Sequence, residues 1–142
     1  MLVAMESPEY CLEITAADND IDELGHVSNL VFLRWVLDAA RAHSNAVGFD
    51  HAAYVGLGAV FVVRKHEIEY LRPVYGGEKI ALVTWVEAWR AASSVRNTSI
   101  RRIADGVEVA RASTLWALVA FDGGRPRRIP EAVRAAFASQ PR

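Results

Sequence analysis

SNLVFLRWVLDAARAHSNAV (residues 28–47) runs for twenty residues without a glycine or proline. Such a run suits an α-helix, with Ser28 placed to cap its start and Gly48 placed as the stop just past its end. Arg34, Asp38, Arg41 and Asn45 step by four, three and four, so they form one narrow polar stripe. The other positions are mostly apolar, among them Leu30, Leu33, Trp35, Val36, Leu37 and Ala40. A surface helix shows polar side chains over about half its circumference, and this one does not. It is therefore predicted to be wrapped on most of its sides.

The wrapping is supplied downstream. From Gly58 the chain reads as long, β-branched and aromatic runs: GAVFVVRKHEIEYL (58–71), EKIALVTWVEAW (78–89), SSVRNTSIRRI (93–103) and VEVARASTLWALVAF (107–121). The turn RPVYGG separates the first two, and Ala104-Asp105-Gly106 joins the last two in the favoured hairpin order. Upstream, EYCLEITA (9–16) alternates loosely and reads as a first strand, and residues 130–138 read as a short terminal helix. The expected order is one strand, one enclosed helix, then four antiparallel strands. This is an α+β arrangement, a curved antiparallel sheet around a single long helix. No repeat, linker or low-complexity tract interrupts residues 1–142, so one domain suffices.

Composition narrows the function classes. A hydrophobic fraction of 52% in 142 residues suggests apolar surface covered by a partner chain. A single cysteine, Cys11, forbids an intrachain disulfide and points to a reducing, cytoplasmic compartment. The start MLVAMESPEY lacks the basic flank and apolar run of a signal peptide, and no stretch is long and apolar enough to span a membrane. Residues 1–56 carry two basic and nine acidic side chains, residues 57–142 fourteen and eight. With a pI near 6.4 a nucleic-acid partner is not expected, while a small phosphorylated ligand remains compatible with the basic half.

The segment DNDIDELGHVSN (18–29), just ahead of the helix, carries the candidate chemistry. Asp18, Asp20 and Asp22 alternate like the first ligands of an EF-hand, but the sixth and twelfth positions hold Glu23 and Asn29 instead of glycine and glutamate. His26 has no second histidine at zinc-binding spacing. No metal or other cofactor is expected. Asp18, Asp20 and Glu23 read as solvated or capping residues, the usual role of such side chains.

These stretches together resemble the hot-dog fold thioesterases, specifically the 4-hydroxybenzoyl-CoA thioesterase-like family. The resemblance rests on Asp22-Glu23-Leu24-Gly25-His26-Val27-Ser28-Asn29 followed by LVFLRWVLDAAR, on FVVRKHEIEYLRPV (61–74) and on EAWRAASSVRNTSIRR (87–102), and covers about residues 9–121. Two departures bear on substrate: Ser28 stands where many members have asparagine, and Phe32 where many have tyrosine. The resemblance implies a hot-dog acyl-CoA thioesterase that releases a carboxylic acid and free CoA, acting as a homodimer or homotetramer. An acyl carrier protein as thiol carrier and a non-catalytic acyl-CoA-binding domain are the alternatives.

It also points to Asp22 as the catalytic carboxylate, acting as nucleophile or general base. Physical chemistry agrees with the position. A helix start offers unpaired N–H groups and partial positive charge, so the N–H groups around Asn29 and Leu30 can serve as an oxyanion hole. His26 is a candidate general acid or a packing residue. Asp38 is the rival carboxylate, with Arg34 and Arg41 in pairing reach on the helix. Phe32, Val60 and Phe61 are candidates for the acyl pocket, and Arg64, Lys65, Arg90 and Arg96 for the CoA phosphates. Trp85, Trp89 and Trp116 read as core or interface.

Overall fold

The computed structural model describes residues 7–139. Strand β1 (Tyr10–Thr15) leads through one 3-10 turn, Asp18–Asp20, to helix α1 (Asn29–Ala46) and then to helix α2 (His51–Leu57). Strands β2 (Ala59–Tyr70), β3 (Lys79–Trp89), β4 (Ser93–Arg102) and β5 (Glu108–Ala120) follow, and helix α3 (Glu131–Ala138) comes last. The five strands form one curved antiparallel sheet in the order β1-β3-β4-β5-β2. Strand β2 therefore lies at one edge, with a ladder to β5 on one side only.

Helix α1 begins as its sequence implies. Ser28 is extended, and its side chain accepts a hydrogen bond from the Leu30 N–H. One face of α1, with Phe32, Trp35, Val36 and Ala39, packs on Ile80, Leu82, Ile100, Val109 and Ala110 of the sheet. Each of the larger side chains among these contributes about 1.5–3 kcal/mol on leaving water, which anchors the helix across the sheet. A second apolar cluster joins Val86, Trp89 and Leu118 to Val133 and Phe137 of α3.

Bulges keep the apolar face turned inward. In β2 the register shifts between Val63 and Lys65, so Phe61 pairs with Leu118 before the shift and Ile68 pairs with Ala112 after it. One extra residue, Arg64, changes which parity faces the helix. A second shift, between Val86 and Ala88, lets Trp89 share the inner face with Val86.

The structure departs from the sequence reading in three places. Helix α2 was not anticipated: it is only seven residues long, has Gly56 inside it, and is held by the Asp50 cap and by Gly58 at φ +77°. Leu30 is 76% exposed, so the start of α1 is not wrapped within one chain. Asp20 is not solvated. It is buried and paired with Arg34 at 2.8 Å, which takes Arg34 away from Asp38.

Candidate active site

The segment between β1 and α1 is a closed loop pinned at both ends. Ile21 and Val27 form an isolated antiparallel bridge, the Asp22 N–H donates to the His26 carbonyl at 3.0 Å, and the Gly25 N–H donates to the Asp22 carbonyl at 3.0 Å. Gly25 sits at φ +85°, a left-handed conformation that strains any residue with a Cβ. The Val27 N–H donates to the Val74 carbonyl at 2.7 Å, tying the loop to the β2–β3 connection.

Buried Asp20 fastens the loop to the helix. Its carboxylate accepts from the Ala17 N–H at 2.9 Å and from Nη2 of Arg34 at 2.8 Å, while its carbonyl accepts from the Ser28 N–H at 3.0 Å. Asp22, in contrast, is half-buried, and its Oδ1 accepts the Leu24 N–H at 2.9 Å. One carboxylate is thus spent on structure, and the next is carried on a fixed loop beside the helix start with its second oxygen free of hydrogen bonds among the described residues. Asp18 and Glu23 are exposed.

Of the two backbone donors expected at the helix start, the Leu30 N–H is taken by Ser28 Oγ at 3.2 Å. The Asn29 N–H has no protein acceptor among the described residues. His26 is half-buried, with Nδ1 3.5 Å from the Val27 carbonyl, a contact too long to fix its ring strongly. Asp38 is half-buried on α1 and joins no ion pair among the described residues.

The substrate-binding candidates fall into separate places. Phe32 is buried in the main core, edge-on to Trp35 and to Tyr70. Arg64 and Lys65 are exposed on edge strand β2, with Lys65 bound to Glu67 at 2.9 Å. Arg90 is exposed in the β3–β4 turn. Val60, Phe61 and Arg96 line a cavity of about 560 Å³ between the C-terminal half of α1, α2 and the sheet. Arg96 is only 5% exposed, so it is an interior cation on the cavity wall and not a surface one like Arg64 and Arg90. Neither Asp22 nor Asn29 lines this cavity. Tyr54, Ser44 and Trp116, which do, carry no pattern in the sequence that singles them out. Among the described residues no cluster of histidine, cysteine and acidic side chains could hold a metal, and no helix is long and apolar enough to cross a membrane.

Residues 17–137 match the family described as the thioesterase-like superfamily. No curated protein sequence matches the chain. Among solved structures, one similar in fold is a Lactobacillus plantarum protein provisionally assigned as an oleoyl thioesterase, with a TM-score of 0.87 and 18% identity over 92% of this chain. This chain spans half of that longer one. A DHNA-CoA thioesterase from Staphylococcus aureus has a TM-score of 0.78 and 23% identity, covering 84% of this chain and 80% of its own. A further Staphylococcus aureus protein, solved in complex with CoA, has a TM-score of 0.86 and 13% identity over 96% of this chain and 85% of its own. At these identities the likeness is one of fold, the hot-dog arrangement of a helix on a curved sheet.

Proposed function

The chain belongs to the thioesterase-like superfamily, and on that premise we propose that it is a thioester hydrolase that acts on an acyl-CoA, with Asp22 as nucleophile or general base. The observation that carries this reading is the position of Asp22. It is held on a loop closed by backbone bonds, directly before a helix start whose Asn29 N–H is uncommitted. A thioester carbonyl over that donor gains charge on oxygen as it is attacked, and a fixed donor and the helix dipole stabilise that charge at no cost of reorganisation. CoA as thiol carrier is supported by two neighbours, one a DHNA-CoA thioesterase and the other solved in complex with CoA.

The active unit is proposed to be a homodimer. Leu24 and Leu30 flank the loop at 73% and 76% exposure, and Tyr70 at the end of β2 is 46% exposed. Among the described residues the outer edge of β2 is unpaired along its twelve residues, a template for another strand. A two-fold axis pairs two such edges antiparallel. Centred near Lys65, that pairing sets Val60 beside Tyr70 of a second copy. Tyr70 packs on Phe32 near the start of α1, so the second copy's Asp22 loop would approach the cavity that Val60 and Phe61 line.

The test is thiol release from a panel of acyl-CoAs by the parent and by Asp22→Asn. The asparagine keeps the Leu24 contact, so the fold should persist while the rate falls about 10²–10⁴-fold. Asp38→Asn should stay close to the parent. Hydrolysis by folded Asp22→Asn within a few-fold of the parent would refute the assignment, and a collapse in Asp38→Asn alone would move the carboxylate onto the helix.

A further inference from the structure

Arg96 is a charged side chain placed almost wholly inside the protein, at 5% exposure. Its Nη1 donates to Nδ1 of His43 at 2.9 Å and to Oγ1 of Thr84 at 3.0 Å. Its guanidinium carbon lies 5.6 Å from the centre of the Phe137 ring. All three partners are neutral or weakly polar, and no carboxylate pairs with Arg96 among the described residues. An arginine keeps its charge in a protein, and a charge taken out of water is costly unless an opposite charge meets it. Its fork of five N–H donors suits a carboxylate held by two parallel bonds, and Nη1 uses only part of it.

The side chain also borders space. The cavity it lines measures about 560 Å³: Leu37, Val60, Phe61, Trp89 and Trp116 are among its apolar walls, while Arg41, Ser44, Asn45, Asp50 and His51 line the part bordered by the helices. The ring of Trp116 forms part of the wall, and its indole N–H is buried without a partner among the described residues. A largely apolar chamber with a placed polar group is the usual form of a small-molecule site.

We propose that this cavity binds an apolar chain or ring ended by a carboxylate, with the carboxylate on Arg96. Two sources share that chemistry: the far end of an acyl group that carries a second carboxyl, and a free carboxylic acid such as the hydrolysis product. The first source rests on the acyl-CoA reading and on the second copy. Within one chain the cavity meets α1 between Leu37 and Asn45, about 12–24 Å along the axis from its start, too far for a short acyl group held at the chain's own Asp22.

Tryptophan fluorescence reads the site, because Trp89 and Trp116 line it. The full chain is titrated with hexanoate and benzoate and with their primary amides, which match them in shape but not in charge. The acids are expected to saturate at concentrations at least about tenfold below their amides, and Arg96→Met should erase the difference. Equal binding of acid and amide by the parent, or no binding of either acid, overturns the proposal, and this comparison stands even if Arg96→Met does not fold. Thiol release from adipoyl-CoA and hexanoyl-CoA then separates the sources. A higher kcat/KM for adipoyl-CoA that Arg96→Met removes identifies the substrate's far carboxylate; equal values beside tight hexanoate binding identify a free acid. Carboxylate binding with no thiol release from any acyl-CoA refutes the hydrolase reading and leaves the anion site standing.

Discussion

Acidifying the protein from about pH 8 to about pH 5 is expected to cost about 2 kcal/mol of stability through one side chain, His43. His43 lies on α1, fully buried, stacked on Tyr10 and edge-on to Phe137. Arginine only donates, so the 2.9 Å contact from Arg96 occupies the Nδ1 lone pair and puts the histidine proton on Nε2, which is buried without a partner among the described residues. Burial first, and then the positive charge of Arg96, push the His43 pKa from 6.5 down to about 3. Between those values the unfolded chain binds a proton that the folded chain refuses. Stability from this group is therefore intact above 6.5 and falls as pH drops toward 3. About pH 5 lies about 1.5 pH units below the unfolded value, and at about 1.4 kcal/mol per unit the loss is about 2 kcal/mol. Urea unfolding at the two pH values measures it. The control is His43→Asn, whose amide oxygen can still accept from Arg96 but which does not titrate. Carboxylates that also lose charge in acid are common to both proteins. The parent should thus lose about 2 kcal/mol more than His43→Asn. Equal losses would show that His43 is not held neutral by its burial.

Three further outcomes follow from the geometry. Asp20→Ala strips the acceptor from the Ala17 N–H and from Arg34, and should lower stability by about 1–3 kcal/mol in denaturant unfolding while also weakening hydrolysis through the displaced Asp22 loop; a change under about 0.5 kcal/mol would mean the buried carboxylate does not hold the loop. Arg90→Ala, at an exposed turn, should raise KM for acyl-CoA more than it lowers kcat, with an acyl-pantetheine substrate unaffected and rising salt acting in the same direction; an unchanged KM removes Arg90 from phosphate binding. Sedimentation equilibrium should give a dimer at working concentration, and an active monomer would contradict pairing of the exposed β2 edge.

Much of the fold was legible because it rests on local chemistry and on period. The apolar excess around residues 28–47 required a covering sheet, Ser28 is the cap its position implied, and Asp105-Gly106 turns the chain with Gly106 at φ +71°. The closed loop at Asp22 was legible in part, since Gly25 before a helix start announces a tight turn. Helix α2 was not, because seven residues with an internal glycine carry too little periodicity, and its stability comes from Tyr54 packing on Phe49 and Phe61.

Which polar side chains point inward is a different kind of question. Asp18, Asp20 and Asp22 are equivalent as composition, yet only Asp20 is buried, because Arg34, fourteen residues away, meets it there. Arg96 shares the parity of Thr98 and Ile100 on β4, so alternation puts it on their face. Alternation alone does not say whether that face meets solvent, a helix or a cavity. The answer came from α1, which brings His43 to Arg96 and leaves an apolar chamber beside it. Sequence by itself determined the five strands, helices α1 and α3 and their turns, since these depend on neighbours along the chain. Tertiary structure alone decided the partners of each buried charge, since desolvation and pairing depend on residues that only the folded chain brings together.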